Sequence, residues 1–451
     1  MQILKNVALF QINNNPVEYM FINTLFGTVE ILDEEEAKIV AIWIERELGE
    51  QLPPEEVKLF EALYEHHFFV SDRDEETRLK NQIVEACVQN RRKRLNSVKT
   101  AVFLPTYKCN FACPYCFENK TGKSELMTRQ MVDTIFSKYG DNLQIVGLFG
   151  GEPFLPETYD IVRYILDRAK EMRVFVITNG FHLDRFIPLL LHRKVDYVQV
   201  TLDGPKDIHD KTRIQKSGKG TFEIILENIT KALQASIPIR IRMNIGLHNI
   251  RQCLELKKNI IQELNDYRNL LSFEMQPLFQ IRDDKADFLE DQLFFDSEYL
   301  NSENKSKLMH NSICTTFSPL MKLSAGMKER LTPVTDGCHK NCDMFFFDSY
   351  GDIYSCVRSV GDKRFSVGTY FPKVTEKDAS LLTRSIVTIP ECRDCNLALI
   401  CGGGCGYAVA ADDGSVNHPN CSNIYKELRV VIPKIYTRMQ KKDGEKIEKN
   451  L

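Results

Sequence analysis

Eleven of the fourteen cysteines in this 451-residue chain fall in two short regions, residues 109–116 and 338–421. Loops that crowd thiols in this way must gather them in space, and that restricts the fold more tightly than any apolar periodicity. The chain opens MQILKNVALFQINNN, a very short apolar run that breaks into Asn and lacks the hydrophobic core and cleavage site of a secretory signal. No apolar stretch approaches the length that crosses a bilayer, so no membrane partner is expected. A cytoplasmic location follows, and in that reducing compartment the thiols are expected to hold metal or clusters rather than to form disulfides. A net charge of −3 with 43% hydrophobic and 27% charged residues describes a soluble globular protein with no global reason to bind nucleic acid.

The length exceeds what one hydrophobic core usually holds, so two or three domains are expected. Residues 1 to about 85 read as a small module. Val17–Asn23 and Thr28–Leu32 flank Phe26-Gly27 as a hairpin, and Asp33 with Glu36 forms a capping-box pattern that opens a helix through Leu48. A second helix spans about Glu55 to His67. The basic run Arg91-Arg92-Lys93-Arg94 reads as the solvated face of a helical connector, with a peptide or cofactor-phosphate contact as the lesser reading. From residue 100, six buried strands (Thr100–Leu104, Gln144–Phe149, Arg173–Ile177, Tyr197–Leu202, Ile239–Ile245, Leu271–Met275) alternate with helices. That alternation implies a parallel sheet with right-handed crossovers. A partial barrel and an open doubly wound sheet satisfy it equally. Residues 422–451 read as a helix and a charged, fraying tail.

Cys109, Cys113 and Cys116 form C-x3-C-x2-C directly after the first strand, in a loop at the edge where parallel α/β sheets bind ligands. Three thiolates can hold three irons of a [4Fe–4S] cube and leave the fourth open to a substrate or cofactor. A zinc site would need a fourth Cys or His, and none follows closely.

At this point the sequence resembles the radical SAM superfamily, over roughly residues 100–300. Gly150-Gly151-Glu152-Pro153, Thr178-Asn179-Gly180 and Thr201-Leu202-Asp203-Gly204 end the next three strands, followed by His209-Asp210 and Arg213. The resemblance implies a partial (β/α)6 barrel that binds S-adenosylmethionine (SAM). Tyr115 would lie near the adenine. Gly150, Gly151 and Glu152 would meet the amino group, and Thr178, Asn179 and Arg213 would stand by the ribose or carboxylate. It also implies that a reduced cluster passes an electron into the sulfonium, and that the resulting 5′-deoxyadenosyl radical takes hydrogen from an unactivated C–H bond.

The C-terminal cysteines run Cys338, Cys342, Gly351, Cys356, Cys392, Cys395, Cys401, Cys405 and Cys421. They resemble the SPASM domain, whose pattern is C-x9–15-G-x4-C, a gap, C-x2-C-x5-C-x3-C, a gap, and C. That resemblance implies two auxiliary [4Fe–4S] clusters, three clusters in all. Cys338, Cys342, Cys356 and Cys405 would hold one, and Cys392, Cys395, Cys401 and Cys421 the other. Two four-cysteine zinc sites are the alternative. Cys87, Cys253 and Cys314 read as small buried hydrophobes, Cys314 also as a distant substitute ligand. The expected division is 1–95, a winged-helix-like peptide-recognition module with linker; 96–311, the radical SAM core; 312–430, the SPASM domain; and 431–451, the tail.

Enzymes of this resemblance mostly modify peptides. The first expectation is a maturase of a ribosomally made precursor peptide, leader included, that installs a thioether or carbon–carbon crosslink with electrons from a flavodoxin- or ferredoxin-type donor. The N-terminal module resembles small leader-binding elements, and a strand edge there could add an extended peptide. An anaerobic sulfatase maturase forming formylglycine is the second. Against it, that subfamily carries Asp immediately after the cysteine corresponding to Cys356, where this chain has Val357. A non-catalytic iron–sulfur or zinc protein is the third. A catalytic base is not legible.

Overall fold

The computed structural model describes residues 1–45, 52–95, 97–118, 122, 124–246, 249–277, 331–336, 343–376, 380–413, 415–421, 424–425, 428–429, 432–433, 435–437 and 440. Cys314, Cys338, Cys342, the side chains of Arg91, Arg92 and Arg94, and the tail beyond residue 440 lie outside the described residues. So does the boundary expected at 311/312. Among the described residues no helix is long and apolar enough to cross a membrane.

After a short β1 (Gln2–Ile3), strands β2 (Val7–Asn14), β3 (Val17–Asn23) and β4 (Val29–Asp33) form an antiparallel sheet in that order. The expected hairpin is present as β3–β4. β2 was not expected, because its half-buried VALFQINN sequence runs into three polar Asn residues at its end. Helix α1 (Glu34–Glu45) starts at the capping box: Glu36 N–H donates to Asp33 Oδ1 at 2.8 Å, and Asp33 N–H to Glu36 Oε2 at 3.0 Å. Helix α2 (Pro54–Glu65) leads into β5 (Phe69–Val70), which pairs with β1, and α3 (Arg73–Leu95) carries the chain away with the basic run at its end.

All six expected core strands form: β6 (Thr100–Leu104), β7 (Ile145–Leu148), β8 (Arg173–Thr178), β9 (Lys194–Thr201), β10 (Ile239–Ile245) and β11 (Leu271–Pro277). Each pairs in parallel with its sequence neighbours. A doubly wound sheet reverses its strand order at a switch point; this one never does, so right-handed crossovers put every helix on one face. On that face Val132 of α4 (Arg129–Tyr139), Ile165 of α5 (Tyr159–Arg168), Phe186 of α6 (Leu183–Leu190), Ile229 of α8 (Phe222–Gln234) and Ile260 of α9 (Ile250–Glu263) pack onto the strands, all at most 1% exposed. The short α7 (Lys206–Thr212) follows β9. The partial barrel is therefore the observed choice.

The sheet continues past the core. β12 (Met344–Asp348) pairs in parallel with β6, and β13 (Asp352–Tyr354), β14 (Ser366–Thr369) and β15 (Thr375–Glu376) extend it by antiparallel pairing. Gly351 makes the β12–β13 turn at φ +84°, where a Cβ would stand 2.1 Å from the Phe371 carbonyl oxygen. That is a physical reason for glycine within the second cysteine pattern.

Candidate active site

The loop leaving β6 is pinned where its cysteines stand. Gly151 N–H donates to Thr106 O (3.1 Å), Glu152 N–H to Lys108 O (2.8 Å), Ala112 N–H to Ile214 O (2.9 Å) and Lys216 N–H to Asn110 O (3.0 Å). The thiols of Cys109, Cys113 and Cys116 are close enough for their charges to interact. Burial pushes Cys109 up to about 12, with Glu152 adding to the rise, and burial likewise raises Cys113 against the opposing charge of Arg213. Phe111 N–H points at Cys109 Sγ at 3.4 Å and Asn179 Nδ2 lies 3.8 Å from it. Buried thiols become stable anions chiefly through a cation or metal.

Glu152 ties the next two motif segments together. Its carboxylate accepts from Phe154 N–H (2.8 Å), Thr178 Oγ1 (2.6 Å) and Asn179 N–H (2.7 Å). Burial outweighs these bonds and pushes it up to about 7. The glycines before it allow the close approach: a Cβ on Gly151 would stand 2.2 Å from Tyr107 O, and Gly150 adopts φ +119°.

Tyr115 and Arg213 meet at the end of β9. The Tyr115 hydroxyl is hydrogen-bonded to Asp203 Oδ2, and Arg213 Nη1 donates to that hydroxyl at 2.9 Å. Asp203 Oδ1 accepts from Asn244 N–H (3.0 Å), while Asn249 Nδ2 donates to Asp203 O (3.0 Å). Asp203 N–H donates to His209 Nδ1 (3.3 Å), and His209 Nε2 faces Thr221 Oγ1 (3.1 Å), whose hydroxyl donates to Arg213 O (2.6 Å). This chain assigns the proton to Nε2. Arg213 Nε is buried with no hydrogen-bond partner in the protein.

Five of the described C-terminal cysteines interact in two groups. Cys356, after β13, interacts electrostatically with Cys405. Cys392, Cys395 and Cys421 interact with one another, and burial pushes Cys392 up to about 11. Gly402, Gly403 and Gly404, all near φ +60° to +80°, link Cys401 to Cys405. The buried Arg384 donates to the carbonyl oxygens of Gly403 (2.5 Å), Gly404 (2.9 Å), Val416 (2.8 Å) and His418 (2.8 Å). Cys253 is fully buried in the core, and Cys87 is half-buried with Sγ 3.9 Å from Pro333 O.

Four residues escaped the sequence reading as site members. Asn244 and Asn249 organise Asp203; their signal was a polar cluster ending a buried strand. Arg384 is an isolated arginine with no local signal. Glu118 is buried two residues past the last loop cysteine, with Oε1 unpartnered and its carboxyl pushed up to about 8 by burial and by Glu152.

Among the described residues, no three His, Cys, Asp or Glu side chains close on one point as a mononuclear metal site requires. Judged by donor chemistry, three neighbouring thiols suit an iron–sulfur cube, and the orphaned Arg213 Nε suits an anionic group beside it.

A family model, Radical SAM superfamily, matches residues 103–258, which hold this loop and the strand ends around it. These residues form a radical SAM core. The chain is an enzyme built on that core, and the superfamily works with a [4Fe–4S] cluster and SAM. It is 24% identical over 337 residues to a cysteine-type anaerobic sulfatase-maturating enzyme of Clostridium novyi (strain NT), over 66% of this chain and 84% of that protein. Its fold is similar to anSMEcpe solved with bound AdoMet and Cp18Cys peptide (TM-score 0.59, 16% identity, 76% of this chain and 99% of that one). It is also similar to Streptococcus suis SuiB bound to precursor peptide SuiA (TM-score 0.54, 16% identity, 93% and 99%). The sequence-based reading of the superfamily thus stands.

Proposed function

We propose that the chain is a radical SAM peptide maturase that installs a thioether or carbon–carbon crosslink in a ribosomally made precursor peptide. When bound, the cluster and SAM supply an electron and a radical that takes hydrogen from substrate. Cys109, Cys113 and Cys116 hold that cluster. The Gly150–Glu152 segment and the Thr178-Asn179 turn shape the wall beside it, with Glu152 as their clasp. Tyr115 and Arg213 position the nucleoside cofactor, and Arg213 Nε receives its carboxylate. The observation that carries the reading is the gathering of four motif segments at one strand edge around a buried, unpartnered guanidinium N–H.

The C-terminal region is read as a SPASM domain. Cys392, Cys395, Cys401 and Cys421 hold one auxiliary cluster; Cys356, Cys405, Cys338 and Cys342 hold the other. The two thiol groups that interact electrostatically support this sorting. Residues 1–95 act as the winged-helix-like module that takes the leader, with β2 and β4 as its sheet edges. A flavodoxin- or ferredoxin-type protein donates electrons.

Sulfatase maturation is the second reading, favoured by the Clostridium novyi relative. Val357 in place of an acidic residue weakens it. Asp362, a conceivable substitute, accepts from Arg364 Nε (3.0 Å) and Nη2 (2.6 Å). Anaerobically reconstituted protein given SAM and dithionite should form 5′-deoxyadenosine, and Cys109→Ala/Cys113→Ala/Cys116→Ala should not. A Cys-rich precursor should lose two hydrogens without gaining an aldehyde. Aldehyde on a sulfatase-motif peptide instead would establish the second reading, and persistence of 5′-deoxyadenosine in the triple variant would refute the cluster assignment.

A further inference from the structure

The face of the barrel turned away from the helices divides into two chemistries. Along β10, Ile239, Ile241 and Met243 pack into the helix-facing core. Strand alternation therefore turns Arg240, Arg242 and Asn244 to the opposite, concave face. The same alternation turns Tyr197 and Gln199 of β9 inward, since Val198 and Val200 lie in the core, and Ser272 and Glu274 of β11, since Phe273 and Met275 do. Beneath β12, β6, β7 and β8 the concave face is apolar, filled by Phe346, Val102, Leu104, Phe149 and Phe175. Asp348 at the end of β12 is taken by the Tyr107 hydroxyl at 2.9 Å, while Arg240 and Arg242 of this face lie on the β9–β11 side.

That side holds more donors than acceptors. Arg240 lies opposite Gln199, and Arg242 opposite both Thr201 and Glu274. Glu274 is the carboxylate between the two arginines and is shared by both as loose ion pairs, 3.9 Å from Arg240 Nη1 and 3.7 Å from Arg242 Nη1, beyond hydrogen-bond distance. The Arg240 guanidinium lies 3.5 Å from the centre of the Tyr197 ring, which holds it in place. Arg240 Nε and Gln199 Nε2 are both buried without a hydrogen-bond partner, and Gln199 is only 3% exposed. Arg242 also feels the positive charge of Arg358, from the turn after Cys356, and the charge of Asp203 on the rim. Asp203 is already occupied by Tyr115 and the Asn244 amide. Two adjacent buried donors and a surplus of guanidinium charge are costly unless an anion with in-plane acceptors completes them.

We propose that Arg240, Arg242 and Gln199 form a carboxylate receptor inside the barrel, which selects peptide substrates carrying an acidic group next to the residue being modified. The receptor rests on the reading of the chain as a peptide-modifying enzyme and adds a substrate requirement to it. Arg242 sits two residues further along β10 than Arg240, toward the Tyr115–Asp203–Arg213 cluster, so a carboxylate held here lies immediately below the proposed cofactor site. Phe149, Phe175 and their neighbours opposite supply an apolar wall for the rest of the bound segment.

The test compares three dye-labelled peptide pools of equal length on reconstituted protein with SAM, read by fluorescence anisotropy. Each has one fixed Cys and either a neighbouring Glu with an amidated C-terminus, a neighbouring Gln with an amidated C-terminus, or a neighbouring Gln with a free C-terminus. The Glu pool should bind about tenfold more tightly than the amidated Gln pool, the worth of one charge-assisted pair. An equal gain for the free-terminus pool would assign the receptor to a terminal carboxylate, which also upholds it. Arg240→Gln and Gln199→Leu should erase the preference while SAM affinity stays unchanged. Equal binding of all three pools by the parent protein overturns the receptor and leaves the peptide reading standing, with no variant needed. Absence of binding by every pool overturns the peptide reading and the receptor with it. A loss of SAM affinity in Arg240→Gln without any pool preference assigns the arginine to the cofactor and overturns the receptor.

Discussion

His209 is held neutral by its surroundings. Burial and the nearby Arg213 charge draw its folded-state pKa down to about 3, against roughly 6.5 in an unfolded chain. Stability from the neutral ring is complete above about pH 6.5 and declines as pH falls toward 3, by up to about 1.4 kcal/mol per pH unit. Glu152 and Glu118, pushed up to about 7 and about 8, act with opposite sign: their contribution is full below about pH 4.5 and is lost as pH rises through those values. Replacing His209 by Asn keeps both carboxyls, so the difference isolates the ring. From pH 7 to pH 5 the urea midpoint of the parent should shift downward relative to that of His209→Asn; identical shifts in the two proteins would mean the ring is not held neutral. Gly151 is constrained by space rather than charge. A Cβ there meets Tyr107 O at 2.2 Å and Lys108 O at 2.4 Å, both backbone atoms that cannot swing away. Gly151→Ala should push the cysteine loop off its anchor and lower iron retained after desalting, measured against a Gly140→Ala control, where φ is −54° and nothing lies within 4 Å.

Among the elements, the turn carrying Cys401 and Cys405 depends most on a single side chain. Three successive left-handed glycines aim carbonyls inward, and Arg384 satisfies two of them and two more from residues 416 and 418. Arg384→Ala strands three buried acceptors and one part-buried one and should cost about 3 kcal/mol, lowering the denaturation midpoint. Arg384→Lys, with a point charge in place of a planar fork, should recover only part of that loss. A fully stable Ala variant would show that water replaces the guanidinium. The parts of this architecture that the sequence made legible share one property. Strands β6 to β8 announce themselves as near-continuous apolar runs, β9 to β11 as apolar residues at every second position, and the cysteine loop because thiol spacing is chemically specific. Strand order leaves no periodic trace, so periodicity could not separate a partial barrel from a doubly wound sheet; the family resemblance implied the first, and the strand pairing agrees with it. Arg384 acts through backbone carbonyls of any residue type, which no motif records. The alternation in Ile239-Arg-Ile-Arg242 did signal two arginines on a buried strand, yet their partners lie on other strands.

At the level of the whole molecule, the N-terminal module and the cysteine-bearing loops share a core. Ile386, Ile389, Cys392, Ala398 and Leu399 pack with Phe21, Trp43, Leu63 and Phe68. Sequence reading treated the two as separate because the contacts join residues more than 300 positions apart, and neither segment alone shows an incomplete apolar face. Asn396 is the polar rivet of this interface: its Nδ2 donates to Val7 O at 2.8 Å, and Thr24 Oγ1 donates to its carbonyl oxygen at 2.7 Å. Lys80 of α3 adds a contact from the same module to Arg393 O at 2.5 Å, near the charges of Cys395 and Cys392. A shared core makes local opening reciprocal, since neither face can leave without exposing the other. Asn396→Ala keeps the backbone contact from Thr24 and removes both the bond to Val7 O and the one from the exposed Tyr425 hydroxyl to Asn396 Oδ1, at a cost of about 1–2 kcal/mol, mainly for the partly buried Val7 acceptor. Hydrogen–deuterium exchange of the variant should therefore quicken by roughly 5–30-fold in both residues 7–24 and residues 386–401. Exchange in the strands β8 and β9, which pair with neither segment, should stay unchanged. Acceleration confined to the cysteine-bearing side would mean that the N-terminal module is a free-standing unit. In that case leader capture there would have no mechanical route to the auxiliary thiols, whereas coupled acceleration gives the module a direct hold on them.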